Sequence, residues 1–261
     1  MKFWERLGRI SPPLVVGLGG LLLWELVLRV VQPGGFVLPP PSDILSSAVE
    51  NREVIWTAVL STGWIVITGL ISGVVIGIIL SVAVSWYRLA DEAITPLAVA
   101  ISAIPIIALA PIFNAWFGLL SPRSNQLVVM LLVFFPVFIN TTRGLTDIPL
   151  DQIDLMRSYG ASRWEITKEV RVPNAMPFFF SALRIAASLA VIAAIVAEYF
   201  GGRQDALGPL IIQNAGLARY TDAWAAVLAG SAIGIGLYAI VRALERFAMP
   251  WRAAVNQGIE G

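Results

Sequence analysis

From Ala58 to Val84 the chain carries no charged side chain, and the same holds from Ala93 to Pro122, from Ser124 to Thr142 and from Ala223 to Val241. A helix crosses a bilayer with about 20 mostly apolar residues, so each stretch is long enough to span hydrocarbon. Phe178 to Phe200 adds a fifth span, interrupted only by Arg184 near one end and Glu198 near the other, where a long side chain reaches headgroups or a protein interior. Leu14 to Val31 is the first span. It carries Glu25 and Arg29 one helical turn apart, which predicts a paired, interfacial or protein-facing end. Lys2, Arg6 and Arg9 precede it, as in a cleaved signal peptide, but only QPGGFVLPPPS follows and no small-x-small site, so the expectation is an uncleaved helix. The reading is an all-α integral membrane protein of about six transmembrane helices, forming a single membrane domain over 1–261.

Composition narrows the function classes. Hydrophobic residues make up 57% of the chain and charged ones 13%, a balance that leaves little polar surface for a soluble domain. The net charge of +1 offers no basic field to nucleic acid. With no Cys and no His, the chain lacks thiol nucleophiles, imidazole bases and the usual soft metal ligands, so no catalytic residue and no metal site is expected. The two lysines, Lys2 and Lys168, close no glycine-rich phosphate loop, so no cofactor is expected in this chain and ATP with its Mg would belong to a partner.

Charge placement gives an orientation. With the N-terminus in the cytoplasm, twelve of the eighteen Lys and Arg residues fall on the inner side, among them Arg88, Arg143, Arg157, Arg163, Lys168, Arg171, Arg242, Arg246 and Arg252, and five on the outer side, with Arg184 inside a span. The C-terminus then also lies inside. The stretch between the fourth and fifth spans, DLMRSYGASRWEITKEVRVPNAMP, is the polar island of an apolar chain. Leu150, Ile153, Met156 and Tyr159 recur every three residues and predict an apolar stripe on a short helix. Gly160 ends that helix, S-x-x-E at Ser162 and Glu165 has the spacing of a capping box, and a second short helix is expected to run to about Val170 before Pro173 stops it. A bare interfacial hairpin linking two spans is the alternative.

The island resembles the cytoplasmic loop of permease subunits of binding-protein-dependent ABC importers, which has the form E-A-A, three residues, glycine, and later I-x-L-P. Here the positions read Asp154-Leu155-Met156, Arg157-Ser158-Tyr159, Gly160 and Val170-Arg171-Val172-Pro173, so an aspartate replaces the glutamate and two bulkier residues replace the alanines. The resemblance implies that 147–173 is a coupling loop, with Asp154, Leu155, Met156, Arg157, Tyr159, Gly160, Ala161, Ser162, Arg163 and Trp164 docking on an ATPase subunit. Further blocks resemble the branch that handles nitrate, sulfonates, taurine, pyrimidine precursors and riboflavin: LPPPSDIL after the first span, AIPIIALAPIFNAWFGL in the third, FFPVFINTTRGL in the fourth and AEYFGGRQDALGPLI after the fifth. The family machine implied has two copies of the permease in the lipid bilayer, two ATP-binding subunits and an extracytoplasmic solute-binding protein.

Gly69, Gly73, Gly77 and Ser81 form a small-xxx-small face on the second span, read as helix packing rather than transport. Pro105 and Pro111 are expected to break backbone hydrogen bonds inside the third span, beside protein or a water-lined cavity. Together with Asn114, Asn140, Arg184 and Glu198 they form the candidate translocation set; helix bridging is the plainer role for the two amides and an ion pair for Arg184. One interior cation among many aromatic residues favours a neutral, flat heteroaromatic solute such as riboflavin or a pyrimidine-type vitamin precursor over sulfonate, taurine or nitrate. A secondary transporter, a channel and an intramembrane enzyme are the rival readings, and the chain shows no mid-membrane carboxylate relay, internal repeat or G-x-S-x-G elbow to support them.

Overall fold

The computed structural model describes residues 2–31 and 38–250, with side chains described for 15–30 and for 38–250 apart from residue 88. Arg252, counted above, and the 32–37 stretch lie outside the described residues. The helices are α1 (Lys2–Val31), α2 (Pro41–Glu50), α3 (Arg52–Ser85), α4 (Arg88–Ser102), α5 (Ala110–Phe117), α6 (Pro122–Thr146), α7 (Leu150–Ser158), α8 (Arg163–Ile166), α9 (Val172–Glu198), α10 (Leu207–Gly216) and α11 (Tyr220–Ala248). A short 3-10 turn, Ile106–Leu109, precedes α5, and a π-helical segment, Thr167–Arg171, joins α8 to α9. Among the described residues four helical stretches are long and apolar enough to cross a membrane: α3, α6, Arg163–Glu198 and α11. The bent pair α4 and α5 makes a fifth if it is one span, and α1, with valines and leucines from Val15 to Val30 exposed, is the sixth helix that the sequence predicts.

Lipid tails are as apolar as leucine, so helices in a bilayer associate through close van der Waals contact and small residues. The α3–α6 pair is built that way. A Cβ on Gly69 would lie 2.6 Å from Val129, one on Gly73 would lie 2.6 Å from the Met130 carbonyl oxygen, and one on Gly77 would lie 3.0 Å from Val137. Both helices advance four residues per contact, so they run in the same direction. Ser81 closes the seam by donating to the carbonyls of Gly77 (2.7 Å) and Phe138 (3.0 Å). Helix α9 packs antiparallel on α6, where Gly144 abuts Ala175 and Phe178 and the buried alanines 182, 186, 190, 193, 194 and 197 keep the backbones close. In turn α11 runs antiparallel to α9, with Gly230 against Ile195.

The third span is broken, as its prolines predict, but by one of them. The α4 and α5 axes meet at 74° across a break that contains Pro105, whose backbone (φ −70°, ψ 79°) leaves the helix. Pro111 sits in the first turn of α5, where an N–H has no intrahelical acceptor, so it removes no bond. The expectation for Pro173 is also corrected. It stops nothing: α8, the π segment and α9 form one continuous helical stretch, because Pro173 stands in the opening turn of α9 immediately after the wider π turn. The expected Glu25–Arg29 pair is present at 2.6 Å. Glu25 also accepts from the Ser42 N–H (3.0 Å) and so caps α2, whose own N-cap, Pro40, has no side-chain donor or acceptor.

The seam predicts opposite outcomes for two glycines of α3. Gly73→Leu drives a side chain into backbone and should cost about 1–3 kcal/mol or more, whereas Gly63→Ala faces open space and gains helix propensity worth up to about 1 kcal/mol. Thermal unfolding of the detergent-solubilised variants, followed by size-exclusion chromatography, should show a lowered midpoint for the first and an unchanged or raised one for the second.

Candidate functional site

Two polar clusters stand at opposite ends of the bundle. The first is the 147–173 loop. Gly160 adopts φ +76°, a left-handed turn in which a side chain is strained whatever the room around it, and its surroundings are open. Ser162 then starts α8 with the predicted capping box: its hydroxyl accepts from the Glu165 N–H (3.3 Å) and the Glu165 carboxylate accepts from the Ser162 N–H (2.7 Å). The predicted stripe does not form one face. Each three-residue step falls about 60° behind a full turn of an α-helix, so Leu150 and Tyr159 lie on opposite sides; of the four only Ile153 is buried and Met156 is half-buried. What the loop presents outward is Leu155, Tyr159 (81% exposed) and Trp164 (62% exposed), with Asp154 beside Arg157 at 3.4 Å.

The second cluster joins α3, α5, α6, α9 and α10. Glu198, 2% exposed, accepts on Oε2 from the Thr62 hydroxyl (3.1 Å) and the Gly208 N–H (2.8 Å), and the Thr62 hydroxyl accepts from the Leu207 N–H (2.9 Å). Asn114 donates to the Phe200 carbonyl (3.1 Å) and Asn125, wholly buried, to that of Gly201 (2.9 Å). Gly201 and Gly202 have φ of +155° and +151°, and a Cβ on either would fall 2.6–2.7 Å from an asparagine amide nitrogen. They are glycines because this turn wedges between Asn114 and Asn125. Beyond it, Arg203 and Asp205 form an ion pair (2.6 Å) that holds the Asp205 carboxyl below the usual carboxylate range.

Of the candidate translocation set, the structure brings together Asn114 and Glu198 through this turn, while Pro105 and Pro111 shape the helix that carries Asn114. Asn140 stands apart: its amide folds back to the Pro136 carbonyl of its own helix (2.8 Å) and bridges nothing. Arg184 lies between α9 and α11 and pairs with Glu245 and the Ser181 hydroxyl. Thr62 and Asn125 are the members that sequence reasoning missed. Asn125 sits in Ser124-Asn125-Gln126, a polar triplet at a helix start that reads as an interface, and its burial is set by the glycine turn from elsewhere in the chain.

A groove of about 500 Å³ runs between α9 and α11, lined by Val191, Ile195, Tyr199, Gly230, Ser231 and Tyr238 among others. It is apolar with a few hydroxyls and no ionisable acid or base other than tyrosine. Among the described residues no group of His, Cys, Asp and Glu side chains fits a metal ion.

Comparison with known proteins agrees with this architecture. Residues 73–251 match the family model described as the inner membrane component of binding-protein-dependent transport systems. The chain is 35% identical to the formylaminopyrimidine transport permease protein ThiX of Halalkalibacterium halodurans, over 89% of this chain and 92% of that protein. It is 30% identical to the riboflavin transport system permease protein RibX of Chloroflexus aurantiacus (90% and 87%) and 26% identical to the taurine transport system permease protein TauC of Escherichia coli (90% and 88%). An inward-facing structure of the MetNI methionine ABC transporter shares the fold, with a TM-score of 0.51 at 20% identity, covering 74% of this chain and 94% of that one. With a matching family model over most of its length, broken and small-residue-packed spans and the loop of the expected form, the chain belongs to the inner membrane permeases of binding-protein-dependent ABC importers.

Proposed function

We propose that this permease works as one of two copies in the cell membrane, with both termini in the cytoplasm, two ATP-binding subunits on the 147–173 loop and a solute-binding protein at the opposite end. The observation that carries the coupling role is the loop itself: two large aromatic side chains, Tyr159 and Trp164, stand exposed on a rigid, capped turn, which is how a hot-spot anchor for a partner looks. Asp154 supplies the charge beside them. The arginine and lysine bias of the same side supports the orientation.

The proposed cargo is riboflavin or a related pyrimidine-type vitamin precursor. The α9–α11 groove supports it, being apolar, aromatic-lined and of a size usual for small-molecule sites, roughly 300–1,000 Å³. Arg184 is engaged by Glu245, so it is a poor anchor for sulfonate or nitrate. The relatives named for formylaminopyrimidine and riboflavin also stand nearer in sequence than the taurine one. Import of taurine, sulfonate or nitrate by the same machine is the second reading, favoured by the 26% relative.

Gly160→Val should strain the turn by about 1–2 kcal/mol and leave insertion intact while lowering transport and solute-stimulated ATP hydrolysis in proteoliposomes; unchanged values for both would overturn the coupling role. Asp154→Ala should weaken recovery of the ATPase subunit in pull-downs, by up to the roughly 2–5 kcal/mol of a desolvated charge pair, and Asp154→Glu should restore it. Equal recovery with alanine means that the carboxylate is only solvated. Uptake of labelled riboflavin by cells carrying the whole transport system should be competed by excess unlabelled riboflavin or formylaminopyrimidine and not by taurine or nitrate, and the reverse pattern favours the second reading.

A further inference from the structure

A cavity of about 370 Å³ lies behind the 147–173 loop, between it and the end of α3. Its walls are Trp86, Ile153, Arg157, Ala161, Arg163, Ile166, Thr167 and Arg171, so three arginines line it and no acidic residue does. Arg171 is fixed in place, since its Nη1 donates to the last-turn carbonyls of α3 and α6, Ser85 (2.8 Å) and Leu145 (3.2 Å). Arg163 has no carboxylate partner among the described residues. Arg157 has one, Asp154, in a long and exposed pair on the outer side of the loop, an arrangement that contributes little. Asp154 and the two helix-end carbonyls offset this positive charge only in part, and the cavity has room for an anion.

We propose that this cavity binds a phosphate group, that of an anionic phospholipid headgroup. A tetrahedral phosphate offers more acceptors than a single carboxylate to the planar forks of arginine. Depth selects the source. The cavity opens where the apolar runs of α3 and α6 end, and Trp86 and Tyr87, both exposed, follow α3 at the place where aromatic side chains sit among headgroups. Basic pockets at helix ends on that side of a bilayer take anionic lipid. The inference stands whether or not the loop docks an ATPase, because Arg157 and Arg163 are among the residues that line this cavity and Tyr159 and Trp164 are not.

The test is lipid retention by the purified full chain in detergent, loaded with an equimolar mixture of phosphatidylglycerol and phosphatidylcholine and read by native mass spectrometry. The wild type should prefer phosphatidylglycerol about tenfold, the margin of roughly one charge-assisted hydrogen bond. The Arg157→Gln/Arg163→Gln variant should lose that preference, and Arg157→Lys/Arg163→Lys, which keeps the charges, should keep most of it and shows that the fold tolerates change there. A parallel arm adds inorganic phosphate: if the ion alone displaces the lipid and raises the thermal midpoint of the wild type but not of the glutamine variant, the phosphate site stands and its occupant is the free ion. Equal retention of both lipids by wild type and glutamine variant, with no response to phosphate, overturns the proposal. Unchanged lipid retention with lost recovery of the ATPase subunit also overturns it, and assigns the arginines to an acidic face of that partner.

Discussion

Everything else in this bundle hangs on the close approach of α3 to α6. In hydrocarbon no water is released when two apolar helices meet, so the pair is held by contact area and by the few hydrogen bonds that contact permits. Glycine every fourth residue on α3 lets the backbones come near enough for Ser81 to reach the Phe138 carbonyl across the seam. Helix α9 then packs on α6 and reaches α3 through Glu198 and Thr62, and its buried alanines repeat the same device. The core is correspondingly rich in valine and alanine, with a few large side chains such as Phe138, Ile65 and Leu145 buried among them.

That arrangement connects the two polar ends mechanically. Arg163–Glu198 is 36 residues of uninterrupted helical backbone, about 54 Å at 1.5 Å per residue, with the capped turn of the loop at one end and the Glu198 carboxylate at the other. Arg171 ties the loop end to the last turns of α3 and α6, where its positive charge meets the negative ends of two helix dipoles. At the far end Glu198 ties the same helix to Thr62 of α3 and to the start of α10. A displacement of the loop is therefore shared by α3, α6 and α9 as one body. The broken third span is joined to that body chiefly through Asn114 and buried apolar contacts, and its 74° bend makes it the element least able to move as a rod.

The parts that were legible in the sequence are those in which one local rule decides. Small residues four apart, a serine three before a glutamate, a glycine after a short helix, and a lone carboxylate in an apolar span each have few physical meanings, and the structure realises them at Gly69 to Ser81, Ser162, Gly160 and Glu198. Where two rules compete, pattern reading failed. Pro173 and Pro111 look like helix breakers, but Pro111 stands in an opening turn and costs no hydrogen bond, and Pro173 follows a wider π turn through which the helix continues. The three-residue repeat from Leu150 to Tyr159 looked like a face and is a spiral. Asn125 and Thr62 carried no local signal, because their roles come from Gly201 and Leu207, which are remote in sequence.

Electrostatics inside the spans bear on selectivity. Among the described residues Arg184 is engaged by Glu245, and Glu198 is held through Oε2 by Thr62 and the Gly208 N–H while its Oε1 is buried without a partner. A path along the α9–α11 groove, as proposed, would offer a solute shape and hydroxyls rather than a fixed charge. Discrimination by an apolar groove is modest, since one methylene more or less changes binding by only about 1–3 kcal/mol. A wall of this kind suits a permease whose solute is chosen before it arrives, and it accounts for relatives of nearly equal coverage, named for formylaminopyrimidine, riboflavin and taurine, sharing one scaffold. In such a protein the demanding positions are those that keep the bundle a single lever, the glycine seam and the two ends of the long helix, more than any residue that touches the cargo.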